Sequence, residues 1–153
     1  MAKLEGGSKD VYEAMQRWHN RSLGHRLYDA FTVAGLRVEA IEPGRLLCSF
    51  MVPPRLTSAS NRMHGGAVAS LVDLVGSAVI FTGGSPVTGV SLDITVSYLG
   101  AAHANEEIEV EARVLGIGDK TGCVTVEVRR KDTGQVLAHG RHTKYLANVS
   151  SKL

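Results

Sequence analysis

Three stretches in the second half of the chain place apolar residues at every second position: Leu92, Ile94, Val96 and Tyr98; Ile108, Val110, Ala112 and Val114; Val124, Val126 and Val128. A period of two marks strands with one face against a core. A further strand is expected over residues 136–146, after the Asp132-Thr133-Gly134 turn. Upstream, residues 36–41 and then Leu46, Cys48, Phe50 and Val52 read as two antiparallel strands about Pro43-Gly44, ended by Pro53-Pro54. Residues 63–81 are of another kind, nearly uncharged and rich in Ala, Val and Leu, and closed by Gly83-Gly84-Ser85-Pro86. They predict a helix buried on most sides. In residues 8–31, Val11, Met15, Trp18, Leu23 and Leu27 recur at roughly helical spacing, with Lys9, Arg17, Arg21 and Arg26 between them. This is an amphipathic lead-in helix or pair of helices, with Trp18 as a packing anchor. The order implies an α+β fold in which one antiparallel sheet wraps around one long central helix. The expected divisions are a helical lead-in over 1–32, the α+β domain over 33–148 and a tail over 149–153.

At 153 residues the chain makes one domain, but a small one in which to enclose a site unaided, so a subunit interface is where a site is expected. The 17 basic and 15 acidic residues leave a net charge of +2 with neither sign gathered into a run, and the 5% of aromatics are scattered. Nucleic acid is therefore not the expected partner. Cys48 and Cys123 match no metal or redox spacing and read as buried free thiols. The amino terminus lacks the apolar stretch of a secretory signal, and Glu5, Asp10 and Glu13 argue against a transit peptide. An intracellular, soluble protein without a membrane span is expected. The chain stops at Ser151-Lys152-Leu153, the tripeptide read by the peroxisomal import receptor, which places it in peroxisomes and otherwise in the cytosol.

Asp73 is the only charged side chain between Arg62 and Asp93, set among Leu71, Val72, Leu74 and Val75. A desolvated carboxylate costs several kcal/mol unless it is paired, so it needs a reason. Two stand open: a structural hydrogen-bond partner, or a general base whose proton affinity burial raises. At the front of the same helix, His64-Gly65-Gly66 leaves backbone N–H groups unshielded at the positive end of the dipole, an oxyanion or phosphate cradle. The alternative is a glycine turn with His64 as cap. His64 and Asp73 are nine residues apart, which on a helix is a rise of roughly 13 Å and a rotation of about 900°, and so opposite faces. If both are catalytic, two antiparallel helices must meet across a two-fold axis, giving a homodimer with two shared sites.

Residues 56–66 through Asp73, then Gly89-Val90-Ser91-Leu92-Asp93, and Gly140-Arg141-His142-Thr143-Lys144-Tyr145-Leu146, resemble the small single-hotdog acyl-CoA thioesterases, over about residues 36–146. The animal medium- and long-chain enzymes are the nearest in pattern and the bacterial phenylacetate-pathway enzymes further off. The resemblance implies a hotdog fold and hydrolysis of acyl-CoA to free fatty acid and CoA. It implies that Gly65 gives its N–H to the thioester carbonyl. It implies that Asp73 from the partner chain, with Ser91, orients and deprotonates the attacking water. Read from the pattern alone, Ser91 is one of Ser91, Asp93, Thr95 and Ser97 on the polar face of a strand. Where the animal enzymes have an asparagine six residues before the histidine, this chain has Ser58. By the same resemblance the CoA arm lies along Tyr98, Gly100, Ala101 and His103, along the turn of Gly116, Gly118, Lys120 and Thr121, and beside Tyr145, with Lys120 and Lys144 near phosphates. His19, His25, His139 and His142 read as surface or packing residues.

No three-ligand metal cluster and no cofactor is expected; CoA belongs to the substrate. The expected assembly is a dimer, and a dimer of dimers beyond it. The competing readings are an aromatic acyl-CoA hydrolase of the dihydroxynaphthoyl-CoA type, an enoyl-CoA hydratase and a non-catalytic acyl-CoA carrier in which Asp73 is structural. The carrier gives no turnover.

Overall fold

The computed structural model describes residues 27–146 continuously and, nearer the amino terminus, Lys3, Leu4, Lys9, Glu13, Gln16, Arg17 and Asn20. Most of the expected lead-in helix, Trp18 included, and the Ser151-Lys152-Leu153 terminus lie outside the described residues. The elements are β1 (Lys3–Leu4), α1 (Leu27–Val33), β2 (Arg37–Glu42), β3 (Arg45–Met51), a short 3-10 turn (Pro54–Leu56), α2 (Gly65–Thr82), β4 (Val90–Tyr98), β5 (Glu107–Ile117), β6 (Thr121–Arg130) and β7 (Val136–Tyr145).

The strands form one sheet in the order β1-β2-β3-β5-β6-β7-β4. It is antiparallel except for two-residue β1, which pairs parallel with β2. The chain leaves β3, runs through α2 and returns at the far edge as β4, so α2 lies across the inner face. Ile108, Val110 and Ala112 of β5 and Val124 and Val126 of β6 point at α2 and are fully buried. Their alternates face outward and pair across strands, as in Arg45 to Glu111 and Arg129 to Glu109, both at 2.7 Å. By length and composition α2 could cross a bilayer, but 61% of it is buried within the fold, as a core helix is.

Two glycines let β7 sit where it does. A Cβ on Gly140 would stand 2.6 Å from a Val72 methyl, so α2 reaches the sheet there only because Gly140 has no side chain. Gly89 (φ +65) would put a Cβ 1.9 Å from the Tyr145 carbonyl oxygen, and its absence lets β4 join the end of β7.

Within the sheet the structure departs from the sequence reading in three places. First, most apolar positions of β4 are uncovered: Leu92 is 59% and Ile94 37% exposed, with only Val96 partly buried against the core, because β4 is the edge strand and α2 covers it only in part. Second, a bulge leaves Leu92 unpaired, since Ser91 pairs with Lys144 and Asp93 with Thr143. That extra residue moves Ser91 off the outward face of Asp93, Thr95 and Ser97 and onto the inner face. Third, only Cys48 is a buried thiol. Burial, with Glu39 adding, pushes it up to about 12. Cys123 is partly open on the outer face. Burial there acts upward, but the hydrogen bonds from Thr143 and Arg141 outweigh it and bring its pKa down.

Candidate active site

The start of α2 is shaped by His64, whose extended backbone (φ −64, ψ 136) makes it the N-cap and whose Nδ1 accepts the Gly66 N–H at 2.9 Å. The His64 carbonyl takes the N–H groups of Ala67 at 2.9 Å and Val68 at 3.2 Å. Among the described residues the Gly65 N–H has no acceptor, so of the two glycine amides expected to form a cradle one remains available. Tyr98 from β4 lays its ring against Gly65 and donates its hydroxyl to the Gly65 carbonyl at 2.7 Å. It thereby ties the helix start to the edge strand. Ser58 lies apart from this, in the exposed loop before His64, with its hydroxyl 2.9 Å from that of Ser60.

Between α2 and β4 runs a cleft of about 510 Å³, bounded by Tyr28 of α1, by Gly66, Ser70 and Asp73 of α2 and by Ile94 and Tyr98 of β4. The Ser70 hydroxyl donates to the Gly66 carbonyl at 2.9 Å, so it accepts from the Tyr28 hydroxyl at 2.7 Å. Gly66 and Asp73, seven residues apart and so on one face of α2, both line this cleft, whereas His64 and Gly65 are not among its lining residues. What separates the two ends is the rise, about 12 Å over the eight residues from Gly65 to Asp73. Asp73 is also not buried as expected. Its side chain is 46% exposed to the cleft, because the α2 stripe that carries it faces the uncovered strand.

Behind Asp73 the packing closes. His142 is fully buried, its Nε2 2.7 Å from the Ser91 hydroxyl and 3.7 Å from Asp73 Oδ1. His142 Nδ1 is buried without a partner. An unpartnered N–H in that place costs more than an unpartnered lone pair, which favours the tautomer protonated at Nε2. Nε2–H then donates to Ser91, and the Ser91 hydroxyl is left to donate toward the cleft. Burial draws the His142 pKa down, Lys144 adds to this, and Asp73 and Asp93 oppose it. The imidazole is therefore neutral at physiological pH.

Lys144 is 4% exposed, with Nζ donating to the Ser77 hydroxyl at 2.6 Å. The expectation that it meets a phosphate is overturned, since on β7 it has the inward parity of Gly140 and His142. Burial lowers its pKa and Asp73 opposes that. The other residues expected along CoA fall into two groups. Tyr98, Gly100, Ala101 and His103 lie near the amino end of α2, where Met63 N–H bonds the Ala102 carbonyl. Gly116, Gly118, Lys120 and Thr121 cluster with Tyr145 at the other end of the sheet. Tyr98 pairs with Ala138 and Thr121 with Tyr145, seven residues apart on β7 and so roughly 23 Å. One chain does not bring the two groups to one ligand.

His142, expected among the surface or packing residues, is a fully buried partner of Ser91 beside Asp73, and Ser77 was not among the expected site residues. Their signal was present: Gly140, His142 and Lys144 continue the inward parity of Ala138, so polar groups sat at core positions of a strand.

Comparison with known proteins adds the family. Residues 60–137 match the model of the thioesterase superfamily. Human acyl-coenzyme A thioesterase 13 is 35% identical over 150 residues, covering 97% of this chain and 100% of its own. The crystal structure of zebra fish thioesterase superfamily member 2 superposes with a TM-score of 0.82 at 29% identity, covering 89% of this chain and 97% of that one. A Streptococcus mutans protein bound to acetyl CoA shares the fold, with a TM-score of 0.69 at 20% identity over 74% of this chain and 89% of that one.

Proposed function

The chain belongs to the thioesterase superfamily, a thioester hydrolase on the hotdog fold, and from this we propose that it cleaves medium- and long-chain acyl-CoA with water activated by Asp73. Two features of α2 carry the reading: an unused Gly65 N–H at its positive end, and further along it the Asp73 carboxylate, open to the cleft beside Ser91 and His142. The relatives named acyl-coenzyme A thioesterase 13 support CoA as the leaving group. So does the acetyl CoA bound to the Streptococcus mutans neighbour.

In this mechanism the acyl chain lies against Ile94, Val96 and Tyr28. Water, held by the Ser91 hydroxyl and Asp73, attacks the thioester carbonyl carbon while the carboxylate takes one of its protons. The oxyanion that forms accepts the Gly65 N–H at the helix end. Collapse breaks the C–S bond, and the departing CoA sulfur takes the proton back from Asp73, leaving a free fatty acid and CoA.

About 12 Å of rise keeps Gly65 and Asp73 of one chain from serving one carbonyl. The reading therefore includes a homodimer in which α2 helices lie antiparallel, one subunit giving Gly65 and the other Asp73 with Ser91 and His142. The uncovered β4 edge, with Val90, Leu92, Ile94 and Tyr98, supplies an apolar surface for the second copy. Such a pairing also lets the Tyr98–His103 group of one subunit and the Gly116–Thr121 group of the other reach one CoA, with Lys120 as the phosphate contact. A dimer of dimers and a peroxisomal address through Ser151-Lys152-Leu153 complete the proposal. Release of free CoA thiol, followed colorimetrically across acyl lengths, tests it: turnover of medium- and long-chain substrates is expected. Binding of acyl-CoA without thiol release would instead make the protein a carrier.

A further inference from the structure

Two cross-links of matched spacing join α2 to β7. Asp73 and Ser77 are one turn apart on the helix, about 6 Å, while His142 and Lys144 are two residues apart on the strand, about 6.6 Å. Asp73 therefore stands over His142 at 3.7 Å and Ser77 over Lys144 at 2.6 Å. The proposed chemistry uses the first cross-link and leaves the second unexplained. A lysine ammonium taken out of water is costly, and here one serine hydroxyl is its hydrogen-bond partner among the described residues.

We propose that Lys144 is a positioning residue: its buried ammonium, seated on Ser77, opposes a second positive charge at His142 and so leaves the Asp73 carboxylate free to take a proton from water. This rests on the reading of Asp73 as the base. Without the ammonium, His142 would protonate more readily, because Asp73 and Asp93 both favour its charged form while Lys144 disfavours it. A charged His142 would hold Asp73 in an ion pair, and the base would be occupied. The charges acting on this pair are Asp73 from α2 and Lys144 from β7 itself on the inner side, and Asp93 from the outward face of β4. Beside it β6 presents Gly122 and Val124, which carry no charge. Burial works in the same direction as Lys144, and the lysine adds a field that burial alone lacks.

The test uses the full-length protein with Lys144→Met, which keeps the length of the chain and removes the charge, and Lys144→Gln as a second variant in case methionine disturbs the packing. Titration of His142 by NMR, assigned by its loss in His142→Gln, should move to higher pH by about one unit, a size ordinary for one near charge. The acid limb of kcat/KM against pH should move with it, and Lys144→Arg should restore both. A purely structural Lys144 would lower the rate at every pH without moving the limb. If His142 titrates as in the wild type in a folded variant, the proposal is overturned. If the titration moves and the acid limb does not, Lys144 has no part in turnover. The role of Asp73 is judged separately, by Asp73→Asn.

Discussion

Strands β6 and β4 pair with β7 on its two sides, and both carry apolar residues at every second position, yet they end in opposite surroundings. Val124 and Val126 of β6 are wholly buried under α2. On β4, Ile94 lines the open cleft and Leu92 faces solvent. An alternating pattern therefore reports that a strand has an apolar face, while its place in the sheet decides what covers that face. For β6 the cover is the chain's own helix. For β4 it has to come from outside, and the proposed function supplies two candidates, an acyl chain and a second subunit. Asp73 stands on the border between the two sides, with the closed packing behind it and the cleft in front.

The largest expected difference between the two strands is in their response to charge. Val126→Asp buries an unpaired carboxylate and should cost several kcal/mol, enough to leave no folded protein. Ile94→Asp should leave the far-ultraviolet circular dichroism and thermal midpoint near those of the wild type, while size-exclusion chromatography reads monomer and turnover is lost. A dimeric, active Ile94→Asp protein would show that β4 is not where copies meet. A smaller effect probes the closed side. Gly140→Ala pushes a methyl into Val72 and should cost about 1–3 kcal/mol by denaturant unfolding. Gly116→Ala, where a Cβ would meet nothing, should stay within about 0.5 kcal/mol.

The mildest effect is on pH. Because the folded protein holds the pKa of His142 below the usual 6.5, the unfolded chain binds the extra proton first as the pH drops. Stability should therefore be fully present above about pH 6.5 and decline as the pH falls through the folded value. In a thermal-midpoint series from neutral to mildly acidic buffer, His142→Gln should flatten that decline; an equally steep decline would assign it to other groups.

The strands and central helix were legible in the sequence because each is encoded by local periodicity, and Pro43-Gly44 and Gly83-Gly84 mark where it changes. The Gly65 and Asp73 positions were visible as a glycine pair at a helix start and a lone carboxylate in an apolar run. The surroundings of Asp73 were not legible. Its neighbours on the helix are apolar, but its neighbour across the cleft is an edge strand that leaves the carboxylate half open, a matter of topology rather than composition. From the hydrophobic pattern alone Ser91 was readable only as part of a polar face, and the resemblance singled it out, because the bulge that turns it inward has no residue signature. The roles of His142 and Lys144 were encoded as polar residues at core parity, a pattern that becomes meaningful once a helix is known to lie over that strand.

The dimer with shared sites is tested most directly by mixing two inactive proteins. Gly65→Pro deletes the free N–H at the first helical position, where proline is well tolerated, and His64 before it already has the extended backbone that proline requires. Asp73→Asn keeps the shape and removes the base, and should lower turnover by about 10²–10⁴. Each homodimer then lacks one half of every site. Unfolded, refolded and mixed in equal amounts, the two should recover about a quarter of wild-type activity, since half of the dimers are mixed and each of those has one complete site. No recovery, with mixed dimers shown to form by mass spectrometry, would mean that each site is built within a single chain.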